Sequence, residues 1–169
     1  IPNKILGQFG VETWGNWESL GSYRFFLEWS DTECDFAVWR TLTGDGDGGK
    51  PGCGFRNQLY KSGQTYRGLS YAHSYDQDTS IAVFGFLLQD KRDHNWFSTL
   101  AFGDVNRRGV NRNTIARNQT RTVEFEVSHG RDFFLGDVRL GLGYLYQDDE
   151  VENETDHDFR AFAEWRVSY

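Results

Sequence analysis

From Phe159 to the last residue, every second side chain is apolar: Phe159, Ala161, Ala163, Trp165, Val167 and Tyr169. Arg160, Glu164, Arg166 and Ser168 fall between them, and Phe162 alone breaks the polar file. A two-residue period sends the two files to opposite faces of a strand, and the stretch 156–169 is long enough to cross a bilayer at a tilt. A strand of a soluble sandwich shows the same alternation. What separates the two readings is the final residue, an aromatic in register with the apolar file.

Such an ending resembles the terminal strand of a bacterial outer-membrane barrel, whose last aromatic is read by the barrel assembly machinery. Composition permits that reading. With 38% hydrophobic and 25% charged residues the chain would pass for a soluble domain, and no stretch approaches the ~20 apolar residues of a membrane helix. Barrel strands turn only alternate residues to lipid, so a mean hydropathy well below zero excludes helical spans and leaves barrels open. Aromatics make up 17% of the chain, and Gly reaches 19 against 2 Pro, which suits aromatic girdles and tight turns. The net charge of -7 argues against nucleic acid as a partner. Ile1 follows no signal peptide and the chain does not begin with Met, so it reads as a mature product or a fragment.

Alternation recurs along the chain. Ile5, Gly7, Phe9 and Val11 begin a first strand, and Trp14-Gly15-Asn16-Trp17 reads as a turn. Tyr23, Phe25, Leu27 and Trp29 form the apolar file of a second strand reaching about Ser30. Residues 31–79 form a long extracellular loop region, too long to be structureless, so a hairpin or two is expected inside it. Strands follow at 80–89, where both faces are apolar and inside cannot be told from outside, and at 96–106. Val123, Phe125 and Val127 mark another, Gly130-Arg131-Asp132 a turn, and Val138 to Tyr146 the next strand. The acidic run 148–158 leads to the last. Short connections (15–17, 90–95, 130–133) alternate with long ones (31–79, 107–118, 148–157), as periplasmic turns alternate with outer loops. The expectation is an all-β, antiparallel transmembrane β-barrel segment of about seven long strands, with a periplasmic C-terminus. An odd count predicts that residues 1–169 are the C-terminal portion of a larger barrel and form an open curved sheet when isolated.

The loops carry the candidate chemistry. Cys34 and Cys53 are too few for a zinc site without suitably spaced His, and read as a disulfide in an oxidising compartment. Tyr60, Tyr66, Arg67, Tyr71 and His73 offer ring faces and hydrogen-bonding groups suited to a surface glycan, or else pack as girdle and loop residues. Arg107, Arg108 and Arg112, with Arg117, concentrate guanidinium forks that suit an acidic polysaccharide or lipopolysaccharide phosphates. Arg24, Glu28, Glu124, Glu126, Arg139, Arg160, Glu164 and Arg166 are expected to face the lumen, pairing with one another, contacting a plug or setting pore selectivity. Ser70, His73, Ser74 and Asp76 have the residue types of a hydrolase, but closeness in sequence is not triad geometry. Asp45-Gly-Asp47-Gly-Gly49 lacks the further ligands of a calcium loop. No catalytic residue, metal or cofactor is expected.

The runs YRFFLEWSDTECDF at 23–36, CGFRNQLYKSGQTYRGLSYAHSYDQDT at 53–79 and FGDVNRRG at 102–109 resemble the Wzi capsule-assembly family of outer-membrane proteins. The most specific patterns are E-W-S-D-T-x-C-D and Y-R-G-L-S-x-x-H-S-x-D-x-D. The resemblance implies a large barrel with a periplasmic helical plug and a lectin-like role in holding capsular polysaccharide at the cell surface. It carries over no residue-level binding motif. A porin-like channel segment is the main alternative, and an outer-membrane hydrolase a further one.

A Cys34–Cys53 bridge would close a loop worth ~3 kcal/mol. Mass spectrometry without reductant is expected to find the chain two hydrogens lighter than the dithiol. Two freely alkylated thiols in protein taken from the membrane would reject the bridge.

Overall fold

The computed structural model describes residues 7–32, 65–66, 69–70, 75, 78–107, 109, 113–133 and 136–167. Seven long strands, β1 (Gly7–Trp17), β2 (Gly21–Asp31), β5 (Ser80–Asp90), β6 (His94–Val105), β7 (Thr120–Phe133), β8 (Gly136–Asp149) and β9 (Glu154–Val167), make one antiparallel sheet in the order β1-β2-β5-β6-β7-β8-β9. The two-residue strands β3 (Thr65–Tyr66) and β4 (Leu69–Ser70) form the expected small hairpin inside the long connection. The sheet is open, and among the described residues β1 and β9 pair on one side only.

The registers sort the side chains into two faces. Phe9, Val11 and Trp17 of β1 share a face with Tyr23, Phe25, Leu27 and Trp29 of β2, and with Ala82, Phe84, Phe86 and Leu88 of β5. The same face continues through Leu100, Phe125, Leu142 and Ala161 to the far edge. This apolar face has an aromatic rim at each end. Trp17, Tyr23, Trp96 and Trp165 lie toward one, and Trp29, Phe102, Tyr144 and Phe159 toward the other. Trp17 stacks on Tyr23 at 4.2 Å between ring centroids, and Phe25 on Phe86 at 4.6 Å. From Tyr23 to Trp29 the strand climbs ~20 Å at its usual rise per residue.

The opposite face is polar and carries all eight charged residues expected to share a face. Arg24 pairs with Glu12, Arg160 with Glu124, and Arg166 with Glu164 at 2.8 Å. Arg139 donates to Ser128 Oγ, lies 3.6 Å from Glu126, and sits between the rings of Phe97 and Phe162. Phe162, which interrupts the polar file of β9, lies over its pairing partner Gly141, where a Cβ would meet the ring at 2.2 Å. Strand β5, apolar on both sides in sequence, is resolved by its pairing. Ala82, Phe84, Phe86 and Leu88 extend the apolar face, whereas Ile81, Val83 and Leu87 join the polar one.

Three turn expectations require correction. Trp14-Gly15-Asn16-Trp17 is strand, because Gly15 lies under the Tyr23 ring of β2, and the turn is at 18–20. Gly130-Arg131-Asp132 is also strand, since β7 stays paired with β8 from Thr120↔Asp149 to Phe133↔Gly136. The acidic run is not a long loop. Asp149 accepts the backbone N–H groups of Val151 and Glu152 and closes a tight turn at 150–153, so Asp156 and Asp158 already belong to β9. The short and long connections therefore do not alternate strictly, although those at 32–79, 106–119 and 150–153 do leave one end of the sheet and the others the opposite end.

Gly136, which opens β8, has φ +138° and a Cβ there would lie 1.9 Å from the Arg166 carbonyl oxygen. At Gly143 the nearest atom is 3.5 Å away. Gly136→Ala is expected to cost ~1–3 kcal/mol more than Gly143→Ala, the range for backbone held outside its allowed regions. Urea unfolding of the lipid-reconstituted variants measures the difference.

Candidate functional site

Two of the three connections at the loop end meet over the polar face. Where β2 and β5 separate, the backbone N–H of Thr32 donates to the Thr79 carbonyl at 2.8 Å, and the Thr79 N–H donates to Thr32 Oγ1 at 3.0 Å. Asp78 (φ 56°) and Asn106 (φ 52°) each turn the chain through the left-handed region that Asn and Asp tolerate. These turns bring the 32–79 connection against the 106–119 loop, where the Arg107 N–H donates to the Asp78 carbonyl at 2.9 Å. Asn106 then donates through Nδ2 to the carbonyls of Ala116 and Arg117, at 3.1 and 2.9 Å. Asn113 Nδ2 donates to the Tyr75 carbonyl at 3.3 Å, while its Oδ1 accepts the N–H groups of Ile115 and Ala116.

Tyr75 carries this junction onto the sheet. Its side chain packs against the cluster Ile81, Ala101, Val105 and Ala116, which are the buried hydrophobic residues among those described. Its hydroxyl donates to Glu124 Oε2 at 2.9 Å, and the other oxygen of that carboxylate pairs with Arg160. Burial, and then the facing Glu124 carboxylate, push the Tyr75 hydroxyl pKa well above the usual phenol value. Facing a carboxylate, the phenol is the donor of the pair.

Beside the junction the charges are mixed. Asp104 lies 3.9 Å from Arg107 and 3.8 Å from Arg121, and Arg121 also reaches Glu150 at 3.3 Å. Asn118 donates to Asp149 Oδ2 at 2.9 Å. A shallow pocket of about 340 Å³ opens here, lined by Arg117, Thr120, Gln147, Glu154 and Asp156 among others. A larger one of about 610 Å³ lies toward the opposite end of the polar face, around Arg24, Gln89, Asn95, Phe97 and Arg139. Among the described residues no group of three or more His, Cys, Asp or Glu is arranged to hold a metal.

Of the residues singled out in the sequence, Arg107 lies in the described junction and Tyr66 in the backbone of β3. Tyr60, Arg67, Tyr71, His73, Arg108 and Arg112 lie outside the described residues, as do Cys34 and Cys53 and the hydrolase-type residues His73, Ser74 and Asp76. Three segments that carry the family resemblance converge at the junction through Asp31 and Thr32, Tyr75 and Asp78, and Asn106 and Arg107. The sequence reading missed Asn106, Asn113 and the Tyr75–Glu124 contact. An Asn one residue beyond a strand was the available signal for the first; the contact has none, since its partners are 49 residues apart.

No family model matches the chain, and no curated protein matches it. Its structure is similar to a solved one described as Wzi, an outer-membrane protein involved in group 1 capsule assembly in Escherichia coli and a carbohydrate-binding β-barrel, with a TM-score of 0.72 at 18% identity. The match covers 96% of this chain and 33% of that one, so the chain spans about a third of the length of its solved neighbour. The sheet thus has the fold of a barrel segment, in agreement with the resemblance read from its motifs.

Proposed function

We propose that this sheet is part of the wall of an outer-membrane barrel that binds capsular polysaccharide at the cell surface and catalyses no reaction. The observation that carries the membrane part is the apolar face. Phe159 is 79% exposed, Val11 67% and Leu142 62%, in a sheet whose buried apolar cluster sits at one end of the other face. Contiguous apolar surface of this extent needs an apolar medium, and an antiparallel sheet satisfies its backbone there only when its edges are also paired. Further strands beside β1 and β9 supply that pairing in this reading, which makes residues 1–169 a portion of a larger barrel. The similarity to a third of a carbohydrate-binding barrel supports the same assignment.

The end with the 32–79, 106–119 and 150–153 connections faces outward, and the opposite end, with the turns at 18–20 and 91–93 and the C-terminus, faces the periplasm. Polysaccharide contacts the connections at 32–79 and 106–119, with Tyr60, Tyr66, Tyr71 and His73 as platforms and hydrogen-bonding groups, and with Arg67, Arg107, Arg108 and Arg112 for an acidic glycan. Lipid and lipopolysaccharide surround the apolar face, and the barrel assembly machinery inserts it. A porin-like role is the second reading, favoured by the Arg–Glu pairs that line the polar face. Ion conductance without saccharide retention would select it.

Two outcomes are expected. Leu142→Arg, on the apolar face, costs ~2–4 kcal/mol of folding stability in bilayers, while Thr99→Arg on the polar face costs little; equal costs would reject the face assignment. In properly assembled protein, replacing Arg107, Arg108 and Arg112 by Ala weakens polysaccharide retention and its salt sensitivity together, since salt removes screened attractions. Replacing Tyr66 and Tyr71 by Ala weakens retention with little change in salt sensitivity. Wild-type retention by a variant carrying both sets would reject these contacts.

A further inference from the structure

The candidate glycan residues lie on two separate connections, and a ligand spanning both needs them held in one arrangement. We propose that Tyr75 and Asn113 are positioning residues that fasten the 75–79 end of the 32–79 connection to the 106–119 loop over the polar face, and so set the affinity of the glycan site; this rests on the glycan reading above.

Three features carry the assignment. The first is that Tyr75 is bonded at both ends: its carbonyl accepts Asn113 Nδ2 and Thr79 Oγ1, and its hydroxyl donates to Glu124. The second is that Asn113 works in both directions, donating to one connection and accepting Ile115 and Ala116 N–H groups in its own. The third is that Ala116, held by Asn113 and Asn106, packs in the same cluster as Tyr75. Movement of either connection relative to the other at this junction must break the Asn113–Tyr75 and Arg107–Asp78 hydrogen bonds and open the shared cluster. Glu124 is fixed in turn by Arg160 of β9, so the junction is referenced to strands β7 and β9 of the sheet. A pre-joined surface pays less ordering entropy when a flexible polysaccharide binds.

The test uses the protein in outer-membrane vesicles and capsular polysaccharide purified from the same strain. Tyr75→Phe removes only the hydroxyl, and Glu124→Leu removes its acceptor. Each is expected to speed amide hydrogen exchange about tenfold at Arg107, Ile115 and Ala116, across the junction from the substitution, the effect of losing one partly buried hydrogen bond. Each is also expected to weaken retention about tenfold. Glu124→Gln keeps an acceptor for the phenol and should hold both exchange and retention within about threefold of wild type, a rescue that simple damage to the sheet would not show. Asn113→Ala attacks the junction from the other loop and is read at the Thr32 and Thr79 amides, since Ile115 and Ala116 lose their own acceptor in it; it decides the matter if Tyr75→Phe does not assemble. Unchanged exchange in Tyr75→Phe and Asn113→Ala would overturn the junction. Faster exchange with wild-type retention would overturn its positioning role. Absence of retention by the unsubstituted protein would instead reject the glycan reading itself, and is seen before any substitution is made.

Discussion

Backbone hydrogen bonding between antiparallel strands is the interaction on which this structure rests. Ile81, Ala101, Val105 and Ala116 are the buried hydrophobic side chains among the described residues, so the sheet is not assembled around an interior of its own. Its order comes from six continuous ladders, each of which fixes the faces of both partners. A slip of one residue in any ladder would place arginines and glutamates on the apolar face. The residues that begin the strands therefore matter more than their size suggests. Gly21 and Gly136 accept backbone geometries at which a Cβ would strike the neighbouring strand's carbonyl, and they set where pairing begins.

The polar face is built by volume exchange between neighbours. Phe26 lies over Gly85 and Phe162 over Gly141, each a directly paired residue on the adjacent strand. Glycine lets the ring lie flat against the backbone, and Phe162 in that position forms one wall of the slot holding Arg139. A side chain that looks misplaced in the sequence of one strand is thus fitted to an absence in the next.

The strands were readable in the sequence because the alternation follows the two faces of the sheet, as in Val123, Phe125 and Val127. Turn positions were less legible. Trp14-Gly15-Asn16-Trp17 has turn composition, yet its glycine serves a cross-strand ring; the acidic residues 154–158 have loop composition, yet His157 and Phe159 keep the strand's period. Local composition cannot distinguish a glycine that turns the chain from one that makes room for a neighbour. At the loop end the chemistry was visible in Arg107, but the organisation around it was not. It depends on Glu124, a residue known from sequence only as one member of a polar file, and on Asn113, which lies in a basic stretch where the arginines draw notice.

The strand count also limits how copies of this sheet associate. With seven antiparallel strands, β1 and β9 run in the same direction, so setting β9 of one copy beside β1 of another in a common orientation gives a parallel seam. An antiparallel seam between copies requires a two-fold axis normal to the sheet, joining β9 to β9 or β1 to β1. That operation keeps the apolar faces on one side but sends the loop ends in opposite directions. If the sheet is barrel wall, as proposed, a membrane that receives every copy with the same topology forbids it. On that reading, antiparallel edge-to-edge pairing between isolated copies of the sheet is excluded by symmetry and direction of insertion.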